Sequence, residues 1–348
     1  MKGCYYLGGG TFAVREREEA VPGPGEIRIE VKACGICGTD VHIAQGEKGS
    51  AEVQPPVILG HEFAGIVTAA GPGVTRVRIG EAVAVDPNIY CGNCYYCHNG
   101  AKQFCSAMEA LGVTRDGGFA QSCLLPETQA FPMDPGLDFR EMAMAEPLAC
   151  CLRGLSRLDI RPGAIACVVG GGAIGQLMAQ LLWMRGASRV YLSEPLEKRR
   201  SLALQLGASA VFVPSDSLAE ALREASGRRG MDIVVECAGN TAAAAAAVEM
   251  ADRGGQVLFF SVPKPDALLP LPMMQVYQKE LRIFGSFINP DTQGQAAALL
   301  NSRRLEMKPL FTHSFPLERT AEAVERQTDP SAVKVMVLPN TEEGKDTV

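Results

Sequence analysis

The stretch AIACVVGGGAIGQLMAQLLWMRG, residues 164–186, contains the clearest fold signal in the chain. It begins with a short apolar run typical of a buried parallel strand, passes through G-x-G-x-x-G at Gly170, Gly172 and Gly175, and continues as a helix. Such glycines allow a tight turn, and the following helix N-terminus offers amide groups and a positive dipole end to a pyrophosphate. The stretch therefore predicts a dinucleotide site, with Ala173 and Ile174 in the same loop.

An acidic residue follows the next predicted strand, RVYLS at 189–193. Glu194 stands about 20 residues beyond the glycines, where a carboxylate accepts hydrogen bonds from the ribose hydroxyls and repels a 2′-phosphate. We therefore expect NAD rather than NADP. Arg199, in the basic run 198–200, weakens this preference because an arginine can pair with a phosphate, and an ordinary solvated acid is the alternative interpretation of Glu194.

Strand-like and helix-like segments alternate over the rest of 147–287. After a second helix the pattern continues as MDIVVECAG (231–239), a strand; NTAAAAAAVEMADRGG (240–255), a helix closed by glycines; QVLFFS (256–261), a strand; and ELRIFGSF (280–287), an edge strand. Repeated βα units of this kind predict a doubly wound parallel sheet, the Rossmann arrangement.

The two ends of the chain differ from its middle in their sequence pattern. Residues 1–146 carry short apolar runs broken by glycine and proline, which predicts a β-rich unit with long loops. A long segment separates the closing strand AVKVMVL (332–338) from the parallel sheet, so we do not expect it to join that sheet. Chain termini also often lie close together. We therefore expect an α/β protein in which 1–146 and 288–348 form one domain and 147–287 form the other.

The overall charge restricts the partners. A formal net charge of -6 disfavours nucleic acid and anionic membranes, since both require a positive protein face. No run resembles a signal peptide or approaches the ~20 apolar residues of a membrane span, so a cytoplasmic location is expected. In that setting the 12 cysteines are better interpreted as thiolate ligands and buried thiols than as disulfides.

One loop holds a cluster of cysteines, CGNCYYCHNGAKQFC at 91–105. Its spacings of two, two and seven residues suit four soft donors around one tetrahedral zinc ion: Cys91, Cys94, Cys97 and Cys105. Free or disulfide-bonded thiols are the alternative. Because the protein would fill all four positions, this zinc would be structural, with no position left for a substrate.

A catalytic zinc would need mixed ligands and an open position elsewhere in the chain. The candidates are Cys37 in CGICGTDVH, His61 and Glu62 in GHE, and Glu146 in AEPL. Taken singly, each has an ordinary interpretation as a buried thiol, a hydrogen-bonded core histidine or a surface acid.

Taken together and in this order, these motifs and the later dinucleotide fold resemble the zinc-dependent medium-chain dehydrogenase/reductase family along essentially the whole chain. The resemblance implies a GroES-like catalytic domain, a catalytic zinc surrounded by Cys37, His61 and the acids Glu62 and Glu146, and a structural zinc in the cysteine loop. It also implies that Thr39 and His42 relay the proton of the alcohol. His42 as a mere surface residue is the alternative.

The substrate branch depends on smaller motifs. AEPL (145–148) resembles the polyol dehydrogenases, whereas CGTDVHI (37–43) resembles threonine dehydrogenase, and Ile43 stands where sorbitol dehydrogenases typically have tyrosine. We expect hydride transfer from a secondary alcohol of a polyol or sugar derivative to NAD, giving a ketone. L-Threonine or 2,3-butanediol is the alternative substrate, and Lys48 is a candidate contact for a phosphorylated one.

Two further expectations concern assembly and a different class of function. The apolar edge strand LRIFGSF (281–287) predicts pairing across a two-fold axis, hence a homodimer or homotetramer, as the resemblance also implies.

A non-enzymatic, zinc-stabilised dinucleotide sensor is the alternative function from another class. In that case Cys37 and His61 would be core residues.

Overall fold

The computed structural model describes residues 1–47, 51–227, 229–264 and 266–341. The chain divides into two compact units, one comprising Met1–Ala149 with Asn289–Val348 and the other Cys150–Ile288. Lys48 lies outside the described residues.

The strands follow one another through both units. In the first unit they begin with β1 (Lys2–Gly8), β2 (Thr11–Glu16), β3 (Glu26–Gly35), β4 (Val57–Ile58), β5 (Glu62–Ala70), β6 (Ala82–Val85), β7 (Asn88–Ile89), β8 (Glu109–Ala110), β9 (Ser122–Pro126) and β10 (Ala130–Pro132). The second unit contains β11 (Ile165–Val169), β12 (Arg189–Ser193), β13 (Ala210–Phe212), β14 (Met231–Glu236), β15 (Ala251–Phe259) and β16 (Arg282–Gly285). The first unit is completed by β17 (Phe311–Pro316) and β18 (Lys334–Leu338).

Helices occur in both units. They are α1 (Gly38–Ala44), α2 (Tyr95–His98), α3 (Phe139–Ala143), α4 (Ala145–Leu155), α5 (Ala173–Met184), α6 (Glu197–Gln205), α7 (Leu218–Ser226), α8 (Thr241–Met250), α9 (Met273–Lys279), α10 (Gln293–Asn301) and α11 (Thr320–Arg326).

The first unit is built on a mixed sheet in the order β10-β6-β5-β3-β18-β17, with β9 also paired to β3. Strand β3 alternates half-buried and buried side chains, and it contributes Ile27, Ile29 and Val31 to the apolar core. Strand β18 pairs with β3 and with β17, so the last strand of the chain belongs to this sheet.

The second unit is a parallel sheet in the order β13-β12-β11-β14-β15-β16. Counted from β11, this is the Rossmann order 3-2-1-4-5-6, which confirms the predicted fold class. All residues of β11 are buried, as expected for a strand covered on both faces. Strand β16 lies at the edge of the sheet.

One segment of the second unit differs from the expectation. The predicted helix over 240–255 ends at Met250, and Ala251 already begins β15. Residues 251–255 pair irregularly with β14, because the register shifts between Met231 and Ile233. Gly254 adopts φ 71°, a backbone conformation that side chains disfavour.

Candidate active site

The end of β3 and the start of β5 bring three potential metal ligands together. The two strands are antiparallel, and Gly35 at the end of β3 pairs with Glu62 at the start of β5. Cys37 follows β3 and His61 directly precedes β5, so both residues lie at this end of the strand pair. The ligand atoms of Cys37, His61 and Glu62 all lie within 4.8 Å of one another. A thiol therefore forms one cluster with an imidazole 24 residues and a carboxyl group 25 residues further along the chain.

Asp40 supports this cluster from helix α1, which begins directly after Cys37. Its Oδ2 accepts a hydrogen bond from the Cys37 backbone amide at 2.9 Å, and its Oδ1 lies 3.7 Å from His61 Nδ1. The Asp40 side chain is fully buried, and burial raises its pKa. Since Nδ1 faces Asp40, Nε2 is the ring nitrogen of His61 that is available to a metal.

Lys334 is the second supporting residue, and it comes from β18. Its ammonium group forms an ion pair with Glu62 and donates to the Ile36 carbonyl oxygen at 2.9 Å. Burial opposes the charge, but Glu62 and Cys37 together raise the pKa of Lys334 above its ordinary value. A Cβ on Gly35 would stand 2.8 Å from Lys334 Cε, so glycine leaves the room that this lysine occupies.

Glu146 lies in the first turn of α4 and is buried. It is outside the three-residue cluster, but its negative charge acts on His61. Burial disfavours the imidazolium form of His61, yet the charges of Asp40, Cys37 and Glu146 hold the pKa of His61 well above its usual value. A strongly negative environment of this kind favours a cation.

These observations fit a zinc ion. Sulfur, nitrogen and oxygen donors converge, as in zinc sites that retain an open position for a substrate. His61 Nδ1 and Asp40 Oδ1 are buried and have no hydrogen-bond partner in the described structure. A metal on Nε2 would fix the proton on Nδ1 and draw these two atoms together.

The four cysteines of the loop 91–105 form a separate cluster. Their sulfur atoms all lie within 4.8 Å of one another, and Cys91 Sγ is 4.0 Å from Cys97 Sγ. The backbone amides of Cys97 and Ser106 lower the pKa of Cys94 to about 5, which favours its thiolate. With four sulfur donors this cluster fits a closed tetrahedral zinc.

The two relay candidates lie on α1. Thr39 Oγ1 is 3.7 Å from Cys37 Sγ, so its hydroxyl stands beside the mixed-ligand cluster. His42 is three residues further along the helix, with Nδ1 2.5 Å from Glu47 Oε2.

The glycine-rich loop of the second unit lies between β11 and α5. Gly170 has φ 101°, and a Cβ on Gly175 would come within 1.8 Å of the Gly170 carbonyl oxygen, so the loop and helix pack too closely for any other residue. A Cβ on Gly172, the N-cap of α5, would meet nothing within 4 Å. The backbone is thus open at the helix N-terminus, as a cradle for a pyrophosphate requires.

Glu194 lies next to this loop. Its buried carboxylate accepts hydrogen bonds from the amides of Gly171 at 2.7 Å and Leu196 at 2.9 Å. Gln176 Nε2 donates to the carbonyl oxygens of Gly171 and Arg199, so the segment with Arg199 is tied to the same loop. The predicted cofactor residues therefore lie together at the carboxyl ends of β11 and β12.

Comparison with known proteins decides the family. Residues 23–135 match the alcohol dehydrogenase GroES-like domain, and residues 173–302 match the zinc-binding dehydrogenase domain. The chain belongs to the zinc-dependent alcohol dehydrogenase family. This dehydrogenase is 30% identical over 344 residues to D-arabinitol dehydrogenase 1 of Uromyces fabae, covering 98% of this chain and 97% of the relative.

Two further relatives bear on substrate and cofactor. L-Threonine 3-dehydrogenase of Caldanaerobacter subterraneus is 32% identical over 322 residues, covering 91% of this chain and 92% of the relative. The crystal structure of a zinc-binding dehydrogenase from Sinorhizobium meliloti, bound to NADP, superposes with a TM-score of 0.93 at 36% identity, covering 97% of this dehydrogenase and 99% of that chain.

The comparisons confirm the predicted family, fold class and enzyme class. The dehydrogenase is an oxidoreductase of small alcohols, and zinc and a nicotinamide dinucleotide are the cofactors of its family. Within the described ranges, none of the helices combines the length and the apolar character needed to cross a membrane. Sequence reasoning missed Asp40 and Lys334, the two charged residues that contact the mixed-ligand cluster.

Proposed function

We propose that this dehydrogenase oxidises a secondary alcohol of a polyol or sugar derivative to a ketone, with NAD as the hydride acceptor. The observation that carries the proposal is the convergence of Cys37, His61 and Glu62 on one point within the same sheet unit. Similarity to D-arabinitol dehydrogenase over nearly the whole chain supports the substrate class. Glu146, buried and electrostatically coupled to His61, supports it further, because AEPL is the polyol-type motif.

The residues in and around the mixed-ligand cluster have different proposed roles. When bound by Cys37, His61 and the acids Glu62 and Glu146, a zinc ion supplies a Lewis acid that lowers the pKa of an alcohol. Asp40 holds the Cys37 backbone and faces His61, and Lys334 balances the charge of Glu62. Thr39 contributes a hydroxyl that accepts the alcohol proton and passes on its own, and His42 contributes the imidazole that receives the relayed proton.

The four-cysteine loop takes no part in this chemistry. We propose that Cys91, Cys94, Cys97 and Cys105 hold a second, structural zinc, supported by four sulfur atoms within 4.8 Å of one another. Thiolates that bind zinc must remain reduced, which supports a cytoplasmic location.

NAD is the proposed cofactor because Glu194 presents a carboxylate beside the glycine-rich loop. The carboxylate accepts a hydrogen bond from the Gly171 amide, which keeps its negative charge next to the pyrophosphate site, where it would repel a 2′-phosphate. The Sinorhizobium relative was crystallised with NADP, and rates with NAD and with NADP test the preference. Arg199, in the basic run 198–200, would favour NADP.

A homodimer or homotetramer is proposed from the surface of the second unit. Strand β16 is an edge strand, and the segment preceding it exposes large apolar side chains at Leu268, Leu271, Met273, Met274 and Tyr277. An exposed edge next to an apolar patch favours pairing with a second copy. Sedimentation analysis tests this, and a monomer at micromolar concentration would contradict it.

L-Threonine is the second candidate substrate. The motif CGTDVHI at 37–43 and the similarity to L-threonine 3-dehydrogenase favour it. Against it, Glu146 stands where the threonine enzymes usually have an aspartate.

Initial rates over a panel of substrates test the proposal. The panel contains pentitols, hexitols, their phosphates, 2,3-butanediol and L-threonine, each with NAD and with NADP. We expect the highest kcat/KM with a polyol or sugar derivative and NAD. Oxidation of L-threonine without oxidation of any polyol would overturn the substrate class. Dinucleotide binding without turnover of any member would support the sensor instead.

A further inference from the structure

Helix α1 ends in a motif that folds the chain back over its last turn. Gly46 has φ 80°, its amide donates to the Ile43 carbonyl oxygen at 3.0 Å, and the Glu47 amide donates to the His42 carbonyl oxygen at 2.9 Å. These are the two hydrogen bonds of a Schellman motif, with glycine in the left-handed conformation. The motif brings the residue after the glycine next to the residue five positions before it, here His42.

An apolar contact usually joins these two positions. Here an acid and an imidazole occupy them, and Glu47 Oε2 lies 2.5 Å from His42 Nδ1. Both side chains are about 30% exposed, at 28% for His42 and 30% for Glu47, so the pair is partly shielded and has access to water. Because an ionised carboxylate only accepts hydrogen bonds, Nδ1 must carry a proton, and in the neutral ring Nε2 then keeps its lone pair.

Several other charged groups near α1 bond to partners other than His42 within the described residues. Asp40, on the same helix, accepts from the Cys37 amide and faces His61. Helix α11 packs against α1. Arg319, directly before α11, donates to Glu322 of that helix, and Arg326 lies 3.4 Å from Asp329. Glu47 is therefore the acid that the structure sets against the His42 ring.

We propose that Glu47 is a positioning residue that holds His42 in the Nδ1–H tautomer, with Nε2 ready to accept a proton. The inference rests on the proposed function, in which His42 receives the proton of the alcohol. Nε2 takes up one proton, and the imidazolium then releases that same proton to water. The Nδ1 proton stays in its hydrogen bond, and Glu47 stays ionised throughout.

Ring-nitrogen NMR of the zinc-loaded protein tests the tautomer without substrate. The chain has only 4 histidines, and the signals of His42 are identified by their loss in His42→Gln. We expect the Nδ1–H form in the wild type and in Glu47→Gln, whose amide oxygen still accepts. Glu47→Leu should lose this form, while the control Gln45→Leu, at an exposed position of the same helix end, should keep it. Retention of the Nδ1–H form in Glu47→Leu would overturn the proposal.

A double-mutant cycle separates positioning from a merely structural role. Glu47→Leu should lower kcat about tenfold with KM little changed, less than the roughly 10²-fold or greater loss expected on removing the general base itself. In His42→Gln the further change Glu47→Leu should cost nothing, because Glu47 acts through the ring. Additive losses would contradict the proposal. An enzyme inactive on every alcohol would overturn the proposed function, whereas the NMR result would still decide the role of Glu47.

Discussion

The ammonium group of Lys334 is paired with the carboxylate of Glu62, and both side chains are almost completely buried, at 5% and 2% exposed. Glu62 also belongs to the proposed zinc cluster, so its carboxylate would be shared between Lys334 and the proposed zinc ion. The lysine comes from the last strand of the chain and is separated from Glu62 by 272 residues. Closing strand β18 therefore contributes directly to the electrostatics of the proposed active site.

Removing this lysine should destabilise the protein. Lys334→Met leaves Glu62 buried without its cation, and breaking a buried ion pair from one side costs about 3 kcal/mol or more. Denaturant unfolding measures the loss. Lys334→Arg is the matched control because it retains the charge, and it should lose much less. Equal stability of Lys334→Met and the wild type would show that the pair does not matter.

Asp40 should govern the zinc affinity of the proposed catalytic site. Asp40→Asn keeps an oxygen that can accept from the Cys37 amide but removes the charge that faces His61. Loss of such a partner lowers metal affinity by roughly 10- to 100-fold. Competition with a zinc chelator measures this change. Asp138→Asn, at the N-cap of α3, is the control for a capping aspartate away from the site. Unchanged affinity in Asp40→Asn would exclude the assigned role.

Glu194 should set the choice of dinucleotide. Glu194→Ala removes the carboxylate beside the Gly171 amide, and we expect KM for NAD to rise about tenfold, since hydrogen bonds to a charged group contribute about 1.5 kcal/mol or more. The ratio of kcat/KM between NAD and NADP should fall with it. Glu197→Ala, exposed in the first turn of α6, is the control. An unchanged ratio would mean that Glu194 does not contact the ribose.

Removing a zinc ligand from the cysteine loop should lower the stability of the protein and leave its rate unchanged. In Cys94→Ala one sulfur donor of the closed cluster is lost, and bound structural zinc contributes to folding free energy. We expect Tm to fall by roughly 5 °C, equivalent to about 2 kcal/mol in a protein unit of this size, with kcat per folded molecule retained. A fully stable Cys94→Ala protein that has lost only its kcat would place the chemistry in this loop.

Some features were predictable because their signals are local. The glycine loop at 170–175 and the cysteines of 91–105 each lie within a few residues, and the chemistry of turns and tetrahedral zinc restricts their spacing. Asp40 also had a local signal that could have been read, since an acid three residues after the helix N-cap Cys37 forms a capping box.

Other features depend on tertiary structure. Nothing near Lys334 in the sequence indicates Glu62, because their contact arises only when β18 pairs with β3.

In the segment 251–255 the sheet overrides a local helix signal. Its glycines predict the end of a helix, but Ala251 already pairs with neighbouring β14, so the helix ends five residues earlier than expected.

The zinc content of Cys37→Ala, measured together with its NAD-dependent rate on the best polyol, tests whether catalysis depends on the cluster of Cys37, His61 and Glu62. We expect two zinc ions per chain in the wild type. In Cys37→Ala we expect one zinc ion and a rate reduced to background. A Cys37→Ala protein that keeps both zinc ions and the wild-type rate would contradict the assignment of catalysis to Cys37, His61 and Glu62.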